Sequence, residues 1–102
     1  MRVYDYDDGD NEWKQIGSDI DGDHGSVYDG YYFHVGDSFG FSVAMSTEGN
    51  KLAIGAPFYS KNRQSGYYGG VTKLYEFDSD QWNQVAYDLN VTDTDATSGY
   101  SV

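Results

Sequence analysis

With 102 residues, 17 of them Asp or Glu against 6 Lys or Arg, the chain is one small domain at most, and its net charge of −11 repels nucleic-acid phosphate and anionic lipid headgroups. The absence of cysteine excludes a disulfide framework and any thiolate metal site, and no apolar run is long enough to insert into a membrane. A mean hydropathy of −0.70 would suit a solvated tail, but 18% aromatic residues, 13 glycines and a single proline are the profile of a turn-rich all-β protein.

The first segment, Arg2 to Asp7, reads as a short strand with Val3, Tyr4 and Tyr6, closed by a turn of Asp7, Asp8, Gly9, Asp10 and Asn11. The opening residues lack the apolar core of a signal peptide and look like the middle of a strand, so the chain reads either as a fragment or as a protein that is not exported. A second strand is predicted from Glu12 to Ile20, anchored by Trp13 and Ile16. Residues 21–36 interleave Gly22, Gly25, Gly30 and Gly36 with Tyr28, Tyr31, Tyr32 and Phe33 and are predicted to be a loop.

From Asp37 to Pro57 one hairpin is complete. Phe39, Phe41, Val43 and Met45 alternate with the small Gly40, Ser42, Ala44 and Ser46, the period of two that belongs to a strand. After a polar turn at Thr47 to Asn50, Leu52, Ile54 and Ala56 alternate with Ala53 and Gly55. Strands bulky on one face and bare on the other suit a sheet covered on both sides, with the bare face open to close approach. A loop from Phe58 to Gly69 holds Tyr59, Tyr67 and Tyr68 with Lys61 and Arg63. Strands from Gly70 to Phe77 and from Gln81 to Leu89 follow, and Gly99 to Val102 reads as the start of another.

The flanks match one another. Arg2 to Asp7 corresponds in residue type to Lys73 to Asp78, 71 positions on, and Trp13, Gln15, Ile16, Asp19 and Ile20 correspond to Trp82, Gln84, Val85, Asp88 and Leu89, 69 positions on. Gly40 to Val43 recurs as Gly99 to Val102. The matching divides the chain into the last two strands of one unit (1–20), the aromatic and glycine-rich loop (21–36), a complete four-stranded unit (37–90), and a linker with the start of a third (91–102). Four-stranded antiparallel units repeated about an axis form a β-propeller, so the expected fold is all-β, a partial β-propeller of antiparallel four-stranded blades; a single sheet standing alone is the simpler alternative. Trp13 and Trp82, at matching points, are both expected to be core anchors.

Phe39 and Gly40 at one end of the central hairpin and Gly55, Ala56 and Pro57 at the other resemble an FG-GAP repeat, the blade unit of the integrin α-chain propeller. Gly69 and Gly70, then Tyr75 and Trp82, resemble a Kelch repeat with a shorter spacing, which implies the same architecture. The FG-GAP resemblance implies a non-catalytic, extracellular adhesion or binding module, secreted or on the cell surface. It also implies further blades, from the same chain or other copies. Many FG-GAP blades hold calcium between the two motifs. Here that place is Ser46, Thr47, Glu48, Gly49 and Asn50, without the alternating carboxylates, so calcium is not carried over to this hairpin.

The candidates for a cation are Asp19, Asp21 and Asp23 about Gly22, whose alternation suits calcium, although an acidic turn kept wet is the simpler reading of the same residues. Antiparallel topology sends the two aromatic loops to one end of a unit and the acidic turns to the other. Tyr28, Tyr31, Tyr32, Phe33, Tyr59, Lys61, Arg63, Tyr67 and Tyr68 are therefore the candidate face for a protein or glycan, unless the tyrosines serve to hold their own loops together. His24 and His34 have no companion at metal spacing. No catalytic arrangement of Ser, His and acid is legible, and the runner-up reading is an accessory propeller of a larger hydrolase or oxidase, or a purely structural repeat fragment. Asn90, Val91 and Thr92 form an N-glycosylation sequon in a predicted loop.

Overall fold

The computed structural model describes residues 1–22, 27–28, 33–34, 36–59, 69–85, 88–90 and 98–102, and at 27–28, 33–34 and 90 the backbone alone. Its strands are β1 (Tyr4–Asp7), β2 (Glu12–Gln15), β3 (Val27–Tyr28), β4 (Phe33–His34), β5 (Ser42–Met45), β6 (Lys51–Ala56), β7 (Val71–Asp78), β8 (Gln81–Gln84) and β9 (Leu89–Asn90), with no helix among the described residues. Every strand pairing is antiparallel.

The small residues of the central hairpin line up across the sheet. Ala44 stands opposite Ala53, Ala53 opposite Leu74, and Val85 donates its N–H to the Leu74 carbonyl at 3.0 Å, so these four share one row of one face. Met45, Leu52, Tyr75 and Gln84 form a row of the other face. The sheet order is β5-β6-β7-β8, and β9 returns to the edge of β7 that β8 has left.

The fourth strand, expected unbroken from Gln81 to Leu89, is therefore interrupted, and its register shifts by two residues between Tyr75↔Gln84 and Thr72↔Leu89. The second strand, expected to run to Ile20, breaks in the same way. Ile16 donates to the Val3 carbonyl at 2.9 Å and Ile20 to that of Met1 at 2.8 Å, leaving Gly17, Ser18 and Asp19 opposite Arg2 alone. Extra residues on one strand leave the ladder unpaired locally and bend it.

The hairpins β1-β2 and β7-β8 have the same register at residues that match in sequence: Tyr6 faces Trp13 and Phe77 faces Trp82, each with ring centroids 5.2 Å apart. Between β7 and β8 the turn is Ser79 and Asp80, both at positive φ (54° and 65°), which fits the twist of the flanking strands. Between β1 and β2 the turn is two residues longer, with Asn11 at φ 53°.

The core lies between β1-β2 and the sheet. Val3, Ile20, Leu52 and Ile54 are buried together, with Met1, Ile16, Phe39, Tyr75 and Trp82 packed around them. The Trp82 indole donates to the Ile16 carbonyl at 3.1 Å, and a Cβ on Gly17 would lie 2.7 Å from its ring. This cover extends over β6 and β7 and stops short of β5, so Val43 and Met45 are half exposed where burial was expected.

Trp13, expected as a core anchor, is 68% exposed. It has the register of Trp82 but no described residue lies over it as Ile16 and Gly17 lie over Trp82. Residues 21–36, expected to be only loop, include the ladder Val27↔His34 and Tyr28↔Phe33. Residues 99–102, expected to open a strand, follow a parallel bridge from Ser98 to Gly70 and begin with a turn at Gly99.

Candidate functional site

The candidate site grows from the end of the sheet where the Phe39-Gly40 and Gly55-Ala56-Pro57 motifs meet. Asp37 is buried; its Oδ1 accepts from the Phe39 N–H at 3.2 Å and its carbonyl from the Phe58 N–H at 3.2 Å. The Gly40 N–H donates to the Gly55 carbonyl at 3.0 Å, closing this corner of the hairpin, while Phe39 turns into the core. Ala56 and Pro57 are fully buried.

On the bare face the chain returns across Gly55. A Cβ there would overlap the Gly99 carbonyl oxygen, and one on Gly99 would overlap the Val71 carbonyl. The Ser42 hydroxyl donates to that same Gly99 carbonyl at 2.8 Å. Glycine is required on both sides of this approach because backbone meets backbone with no room for a side chain.

The approach sets Tyr100 beside Phe41 with ring centroids 4.8 Å apart, and Phe58 meets the edge of Phe41 at 6.5 Å. Phe41 and Tyr100 remain 51% and 59% exposed. Tyr59 is adjacent and half-buried; its N–H donates to Ala56 at 3.2 Å and its carbonyl accepts from Gly70 at 3.1 Å. An exposed cluster of rigid rings at a strand end offers apolar area with few rotors to freeze on contact.

Of the residues expected on this face, Tyr59 follows Phe58 at the end of the sheet, and Tyr28 and Phe33 are paired through their backbones. Tyr31, Tyr32, Lys61, Arg63, Tyr67 and Tyr68 lie outside the described residues. Phe41, Phe58 and Tyr100 were not singled out by sequence. The signal was present: Gly40-Phe41-Ser42 recurs as Gly99-Tyr100-Ser101, and the matched aromatics are the pair in contact.

The turns at the opposite end of the sheet carry Glu48, Asp78 and Asp80, and the turn of β1-β2 carries Asp7, Asp8 and Asp10. Lys14 reaches Asp7 at 2.8 Å and also pairs with Asp10. That ammonium, with the backbone N–H groups of Asp10 and Gly9, holds the Asp7 carboxyl below its ordinary value, while Asp10 and Asp7 raise Lys14.

Of the three carboxylates expected at a cation, one is engaged by other side chains, one is exposed and one lies outside the described residues. Asp19 accepts from Gln15 at 2.7 Å and from Arg2 at 3.1 Å, and these hydrogen bonds lower its pKa. Asp21 is exposed, and Asp23 lies outside the described residues. Among the described residues no three His, Cys, Asp or Glu side chains form a group that could hold a metal ion. The matching group on the second hairpin keeps the pattern, Gln84 donating to Asp88 at 2.6 Å and Lys73 lying 3.8 Å from it, but Lys73 is 7% exposed.

The sequon residue Asn90, expected in a loop, has its backbone in the β7-β9 ladder opposite Val71. His34 is in β4, and His24 lies outside the described residues. No family model, no curated protein sequence and no solved structure matches this chain.

Proposed function

We propose that this chain is a non-catalytic binding module made of propeller-type blades of the FG-GAP kind, working outside the cell or on its surface, and that its aromatic end recognises a protein or glycan. The observation that carries the reading is the contact of the exposed Phe41 and Tyr100, with the half-buried Phe58 at the edge of Phe41, at the end of the sheet to which the glycine-rich aromatic segments connect. Stacked pyranose faces and apolar protein patches are both recognised by such rings, and exposed aromatics supply a large part of the energy of small interfaces.

The blade reading is supported by the shared register of β1-β2 and β7-β8 and by the way one hairpin lies face to face on the sheet of the other. The test is binding of the labelled chain to a glycan array and to a panel of matrix glycoproteins with and without their glycans. Phe41→Ser combined with Tyr100→Ser, and separately Tyr31, Tyr32, Tyr67 and Tyr68 all changed to Ala, should each abolish binding while the β-sheet circular dichroism is retained. Undiminished binding by both variants would contradict the proposal.

A further inference from the structure

The interface between β1-β2 and the sheet has two sides, and among the described residues a second version of each is left open. On one side Phe77 and Trp82 are half-buried under the first hairpin, whereas their counterparts in register, Tyr6 and Trp13, are 42% and 68% exposed. The ion pairs follow the same division: Lys73 and Asp88 have side chains 9% and 28% exposed, Arg2 and Asp19 61% and 42%. On the other side Val3 and Ile20 are buried at 8% and 6%, and the residue matching Ile20, Leu89, is 52% exposed. Val85 has the place of Ile16: its N–H donates to Leu74 as that of Ile16 donates to Val3, and it is 54% exposed. Beside it the row Ala44, Ala53, Leu74 and Val85 lines a groove of about 340 Å³.

We propose that these two open surfaces are one interface divided between molecules, and that the occupant of each is a second copy of this chain. The β1-β2 hairpin of one copy docks on the Ala44, Ala53, Leu74 and Val85 face of the next, with the Trp13 indole N–H donating to the Val85 carbonyl as Trp82 donates to Ile16 within the chain. The internal contact is the template, because the surfaces offered have the register and chemistry of the surfaces already joined. The match is between different patches, so it is heterologous and propagates head to tail. It opposes two copies of charge −11, so association strengthens with salt as that repulsion is screened. The proposal does not depend on what the aromatic end binds.

Sedimentation velocity of the full chain over a concentration series tests it, with two blocked variants. Trp13→Gln removes the docking ring from an exposed site, and Val85→Asp puts a charge in the groove; Leu89→Asp replaces the latter if circular dichroism shows that it does not fold. The wild type should grow in mass with concentration beyond a dimer, each variant alone should remain monomeric, and an equimolar mixture of the two should form a dimer and stop there. A wild type monomeric throughout the series overturns the proposal. So does either variant associating as the wild type does, which would mean an isologous or edge-to-edge contact, or a mixture that stays monomeric.

Discussion

Gly55 and Gly99 are the residues least tolerant of change, because their backbones meet where any side chain would overlap a carbonyl. Gly55→Ala, with nothing else altered, should destabilise the fold by about 1–3 kcal/mol, the usual range for overpacking, read from the midpoint of urea unfolding. An unchanged midpoint would mean that the chain does not return across Gly55. The Asp7 carboxyl makes a prediction of another kind. Lys14 first, then the N–H groups of Asp10 and Gly9, lower it from its ordinary 3.8. A carboxyl that is more acidic folded than unfolded adds stability above its unfolded value and loses it as the pH falls through the lower folded value. In Lys14→Met the Asp7 midpoint followed by carboxyl NMR should rise towards 3.8, and the acid-dependent part of stability should shrink; a midpoint that does not move would remove the Lys14 contact from the account.

At the scale of elements, two hairpins of like register differ in what lies over them, and that difference should be measurable. Trp82→Ala takes a ring out of the contact with Ile16 and Gly17 and should cost about 3–5 kcal/mol. Trp82→Phe, which keeps much of the ring and loses the indole donor, should cost about 1 kcal/mol for the hydrogen bond, together with a smaller packing loss. Trp13→Ala, measured in dilute solution, should change stability by no more than about 0.5 kcal/mol, as exposed substitutions do. Equal costs for the two tryptophans would mean that the hairpins are covered alike. The sequence made this pairing legible: the match of Trp13 to Trp82 and of Tyr6 to Phe77 is the observed register. It could not make burial legible, because a residue's own type does not say whether a neighbour lies over it. The half-exposed Val43 and Met45 fail for the same reason, sitting on the strand that the first hairpin does not reach.

Across the whole molecule the alternation of bulky and small residues in 39–57 told the strand character and the bare face of the sheet. It did not tell that the bare face is crossed by backbone at Gly99, a contact made by residues far apart in the chain. The two-residue shifts after Ile16 and after Val85 were hidden as well, since a bulge keeps the residue types of a strand. The ladder within 21–36 was read as loop because its glycines outweigh two residues of pairing on each side. Of the candidate site, the sequence pointed to the end of the sheet where the motifs meet but not to the rings described there, Phe41, Phe58 and Tyr100, which belong to the motifs and their flanks and come together only through the return of the chain at Gly99.

The first hairpin lies face to face on the following sheet through Trp82, while its own equivalent ring, Trp13, is open. Hydrogen exchange of the two indole N–H groups, followed by NMR on a sample dilute enough to be monomeric, reads this in one experiment. The Trp82 proton, bonded to the Ile16 carbonyl, should exchange far more slowly than the Trp13 proton. Equal exchange of the two indoles would contradict it.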